Sequence, residues 1–142
     1  MLFVQIQINR EIWEIMKVLL VDDDAYNLKM FGRVLHNNGY NVIAAESGEE
    51  GLRIAVRDLP NVVIVGFKMA RGGMTGIEMI QQLRQHDAIK HTAVVVVNGH
   101  KDEVCNSTHA DLRLEAFLHE PINFNHLLTT VHNISKPLAK PM

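Results

Sequence analysis

The chain has 142 residues, 47% apolar and 21% charged, which suits one soluble domain with a single core and excludes a wholly disordered polypeptide. Its 14 basic and 16 acidic residues leave a formal net charge of −2 with no basic stripe, so nucleic acid is not the expected partner. The single cysteine, Cys105, excludes an intramolecular disulfide, and no uncharged apolar run approaches the roughly 18 residues that span a bilayer; a cytoplasmic protein without a membrane partner is expected.

The chain begins with an alternating pattern, Val4, Ile6 and Ile8 against Gln5, Gln7 and Asn9. Residues 1–16 are therefore read either as an extension carrying an extra strand that adds to a sheet edge, or as a loosely held leader before a domain that starts near Met16. From Lys17 onward, aliphatic runs and helical patterns alternate with short connections, the mark of consecutive βα units and a parallel sheet covered on both faces. The predicted strands are residues 17–21, 41–45, 62–65, 93–97 and 114–118.

Between the first two strands, Leu28, Phe31, Val34 and Leu35 recur at helical spacing, and Asn38-Gly39 supplies a helix stop. Ser47 is placed to cap the second helix, with Glu49 and Glu50 in its first turn where the helix dipole favours negative charge. A third helix carries Ile77, Met79, Ile80 and Leu83, a weak fourth lies near 102–110, and a fifth carries Phe124, Leu127, Leu128 and Val131. The domain is expected to span 17–135, with 136–142 as a flexible tail.

In an open parallel sheet the C-terminal strand ends line the ligand crevice. Here the first strand ends in Asp22-Asp23-Asp24, the third in Gly66, the fourth in Asn98-Gly99 and the fifth in His119-Glu120-Pro121. The run Val18–Asp24 with Asn27, the segment Ala44-Ala45-Glu46-Ser47-Gly48-Glu49-Glu50-Gly51-Leu52, and Gly76-Ile77-Glu78 together resemble a two-component response-regulator receiver domain over about 17–134. The resemblance implies an α/β, flavodoxin-like, doubly wound sheet of five parallel strands in the order 2-1-3-4-5, in one domain.

It also implies an acidic pocket in which Asp22 and Asp23 match the residues that hold Mg²⁺, and Phe117 matches an aromatic switch position. The family's phosphoacceptor aspartate is replaced by Gly66, its hydroxyl residue by Asn98 and its lysine by Glu120, so the chain resembles a degenerate pseudo-receiver. Glycine has no side-chain oxygen to accept a phosphoryl group, and Glu120 repels where an ammonium would attract. No Asp or Glu occurs between Asp58 and Glu78, so no shift of alignment within the loop after the third strand recovers an acceptor.

Asp22, Asp23 and Glu120 are a candidate oxygen cage for weak Mg²⁺ binding, although no cofactor is required by this reading. The eight histidines contain no i, i+4 pair, and Cys105 with His109 is two ligands short of a zinc site. The expected function is a non-enzymatic, phosphorylation-independent interaction module in phosphorelay signalling. Its partner is a protein, whether kinase, output protein or a second copy in a homodimer. The family's favoured partner face is formed by the fourth helix, fifth strand and fifth helix. Two other readings stay open: a phosphoacceptor using Asp22 or Asp23, and a divalent-metal-dependent sensor.

Overall fold

The computed structural model describes residues 16–69, 73–99 and 112–135. Five strands, β1 (Lys17–Val21), β2 (Asn41–Ala45), β3 (Val62–Gly66), β4 (Ala93–Gly99) and β5 (Ala116–His119), form one sheet in the order β2-β1-β3-β4-β5. Every pairing is parallel. Four helices are described: α1 (Ala25–Asn37), α2 (Gly48–Asp58), α3 (Gly76–Gln85) and α4 (Phe124–Ser135). The extra N-terminal strand, the helix expected near 102–110 and the C-terminal tail lie outside the described residues.

Side chains alternate across the sheet because successive strand residues point to opposite faces. Leu19, Val21, Val63 and Val65 pack with Ile54 and Ala55 of α2 and Met79, Ile80 and Leu83 of α3. Val18, Leu20, Val62 and Ile64 pack with Phe31 and Leu35 of α1 and Leu127 and Val131 of α4. The four apolar residues that close β1 are wholly buried, which is why they form a continuous aliphatic run.

Local signals set the helix starts. Asp24 accepts from the backbone N–H of Tyr26 at 2.8 Å and opens α1, Ser47 accepts from Glu50 N and opens α2, and Thr75 with Glu78 forms a reciprocal capping box on α3. The Asn38-Gly39 stop holds, with Gly39 at φ +94°. α2 ends differently, on Leu59 in the left-handed region at φ 51°, a position more often given to glycine.

Four strand boundaries differ from the sequence reading, two of them by a single residue, since β3 takes in Gly66 and β5 takes in His119. β5 starts at Ala116 rather than Leu114, because its ladder begins where Ala116 meets Val95, while Leu114 packs against the α2–α3 side of the core. β4 runs through Asn98 to Gly99, with a register irregularity between Val97 and Gly99 and Asn98 at φ 62°.

Candidate functional site

The register pairs Val21 with Val65, so the next residues, Asp22 and Gly66, leave adjacent strands side by side and project to the same face. Asp22 is the buried polar residue of the core, 3% exposed. Its Oδ1 accepts from Asp24 N at 2.9 Å and its Oδ2 accepts from Asn27 Nδ2 at 3.2 Å. Burial pushes the Asp22 carboxyl above the ordinary carboxylate range, and the charges of Asp23 and Asp24 add to this. The hydrogen bonds from Asp24 and Asn27 oppose the rise without cancelling it.

The Asp22 carboxylate fills the room that a side chain at position 66 would need. A Cβ on Gly66 would stand 2.8 Å from Asp22 Oδ2 and 3.0 Å from its Cγ. On another side of the same residue, a Cβ on Gly76 would stand 2.5 Å from the Gly66 carbonyl oxygen, so glycine is what allows α3 to begin this close to the end of β3.

Phe67 donates its N–H to the Val97 carbonyl at 2.8 Å, continuing the β3–β4 ladder past Gly66. Its ring lies 5.6 Å from that of Phe117, which in turn lies 5.5 Å from His119. The Phe117 ring edge occupies the space next to Gly99 where any Cβ would fall. Phe117 is accordingly half-buried and seated over β4, held inward by the missing side chain at 99.

The loop after β3 is tied back to α2. Glu49 Oε2 accepts from Met74 N at 3.2 Å, the Met74 side chain abuts Gly48, and Met69 is buried. Glu49, expected only to complement the helix dipole, thus also anchors the far side of this loop.

The strand-end residues singled out from sequence do gather at one edge: Asp22, Asp23, Gly66 and Asn98 follow or close β1, β3 and β4, and Glu120 follows β5, its N–H donating to the Gly99 carbonyl at 3.2 Å. Asp23 and Asn98 are half-buried, whereas Glu120 and Lys68 are exposed. Among the described residues no three His, Cys, Asp or Glu side chains converge so as to hold a metal ion, so the candidate cage of Asp22, Asp23 and Glu120 is not assembled. Sequence reasoning missed the spacing roles of Gly76 and Gly99; their only sequence signal is glycine beside a helix start and a strand end.

The description "Response regulator receiver domain" matches residues 18–132 of this chain. Among curated relatives, the polar-differentiation response regulator DivK of Brucella anthropi is 23% identical over 114 residues, covering 80% of this chain and 91% of that protein. The transcriptional regulatory protein GlrR of Escherichia coli is 30% identical over 106 residues, 75% of this chain but only 23% of that longer protein. Among solved structures, the chemotaxis response regulator CheY4 of Vibrio cholerae superposes with a TM-score of 0.76 at 27% identity, over 84% of this chain and 98% of CheY4. A response regulator from Chloroflexus aurantiacus gives 0.77 at 27% identity, over 87% and 99%.

Proposed function

Since this chain belongs to the response regulator receiver domain family of two-component signalling, we propose that it is a receiver that works by contact, without being phosphorylated. The observation that carries the reading is Gly66 at the end of β3, beside a carboxylate that fills the adjoining space. In-line phosphoryl transfer needs an acceptor oxygen and cationic groups to absorb the developing charge. Position 66 offers no side-chain oxygen, and exposed Glu120 adds negative charge at the same edge.

On this reading the chain is not an enzyme, requires no cofactor and acts in the cytoplasm, where its partner is a kinase, an output protein or a second copy. Phe117 is packed inward against Gly99 and Phe67, and on this reading the β5 side of the molecule presents that shape without a phosphate to set it. That side, β5 with α4, is the described part of the surface offered for docking, as the family resemblance implies. Among the described residues no helix is long and apolar enough to cross a membrane.

The test is incubation of the whole chain with acetyl phosphate and Mg²⁺, and separately with beryllium fluoride and Mg²⁺, read by intact mass and by backbone amide NMR. An unchanged mass and an unchanged spectrum are expected. A stoichiometric acyl phosphate, on Asp23 or elsewhere at this edge, overturns the proposal and makes the chain a phosphoacceptor.

A further inference from the structure

The strand ends opposite Gly66 hold a second constellation, distinct from the receiver pocket. Arg84, in the last turn of α3, reaches under the starts of β4 and β5 and donates to four backbone carbonyls. Nε donates to Leu112 at 2.8 Å, Nη1 to Lys90 at 3.0 Å and Thr92 at 2.5 Å, and Nη2 to Arg113 at 3.1 Å. Arg113, itself in the left-handed region at φ 55°, donates its Nη2 to the same Lys90 carbonyl at 3.5 Å. Two guanidinium groups therefore meet over one acceptor.

Around them is an open cavity of about 170 Å³ lined by Arg84, Lys90, His91, Thr92, Arg113 and Glu115. Three permanent cations face one carboxylate, Glu115. Lys90 also pairs with exposed Asp87 at 3.4 Å, a surface contact worth little in water. Burial together with the neighbouring charge of Arg113 holds the Arg84 guanidinium below its ordinary value, with Glu115 only partly offsetting this. Like charges are thus gathered in a partly desolvated cleft whose neutralisation is incomplete, the condition under which an anion binds.

We infer that this cleft, built by Arg84, Lys90, Arg113 and Thr92 at the N-terminal edge of the sheet, is a binding site for a small phosphate dianion, free or as a monoester. The size of the cavity decides the class of ligand, since drug-sized or nucleotide ligands take roughly 300–1,000 Å³. The Arg113 guanidinium offers a planar fork to phosphate oxygens and Lys90 adds a point charge, while Arg84, four of whose five N–H donors are spent on backbone carbonyls, contributes chiefly its charge. The site is non-covalent and has no part in the chemistry lost at Gly66.

The test is titration of the full chain at constant ionic strength with inorganic phosphate in one arm and glycerol 3-phosphate in another. The readout is the backbone amide signals of residues 90–92 and 113–115. Saturable shifts confined to this cleft are expected, with affinity falling about tenfold in Arg113→Ala and again in Lys90→Ala as each removes a charge-assisted contact. Saturation by inorganic phosphate alone marks a free-anion site, and by both ligands a monoester site. Arg84 is left intact in these variants because its four carbonyl contacts hold the local fold. Unsaturable shifts, the same response to chloride, or an unchanged affinity in both variants overturns the inference.

Discussion

Replacing Gly66 by alanine puts a methyl group where the Asp22 carboxylate now lies, 2.8 Å from Oδ2, so that oxygen must retreat from its 3.2 Å hydrogen bond with Asn27. A hydrogen bond to a charged group contributes about 1.5–3 kcal/mol, and exchanging glycine for alanine within a strand returns about 0.5–1 kcal/mol of backbone entropy. The net cost is about 1–2 kcal/mol, a fall in Tm of about 4–8 °C for a domain of this size. In an Asp22→Ala background the methyl group has room, and the same Gly66→Ala change should cost less than about 0.5 kcal/mol. Thermal and urea unfolding of the four proteins measure the coupling directly. Equal penalties in the two backgrounds would show that Asp22 does not occupy the space of the missing side chain.

Two further outcomes follow from the same edge. Because folded Asp22 keeps its proton to higher pH than it does in the unfolded chain, its contribution to stability is fully present below about pH 4 and is lost as pH rises through its raised folded value. The stability of Asp22→Asn relative to the parent should therefore improve as pH climbs from about 4 and then level off, and a relative stability that worsens over that range contradicts the burial argument. Gly99→Ala drives a methyl group into the Phe117 ring and should cost about 1–3 kcal/mol by urea denaturation. The cost should vanish when Phe117→Ala is already present, and persistence of the penalty would mean that the ring is not what the glycine accommodates.

The sheet was legible because its strands are buried on both faces and so read as unbroken aliphatic runs, and because Ser47 and Asn38-Gly39 are local signals at helix ends. The strand order came from the resemblance, and the register of β1 on β3 then brought Asp22 beside Gly66 as the strand-end argument required. The start of β5 was less legible, since Leu114 is as apolar as its successors and only the pairing of Ala116 with Val95 shows where the ladder begins. Nor could the sequence show that Asp22 turns into the space beside Gly66, that Gly99 seats Phe117, or that Arg84 gathers carbonyls as much as 29 residues away. Those facts depend on distances between elements, and no local pattern records them.

The Asp22–Gly66 juxtaposition makes two positions on neighbouring strands depend on one another. An aspartate placed at 66 would crowd one carboxylate against another, with Glu120 following β5. Such a mutant would lose stability unless Asp22 were replaced as well. Room at this corner is a shared resource: whatever side chain stands at 22 limits what can stand at 66, and a change of function here calls for both positions to be altered together.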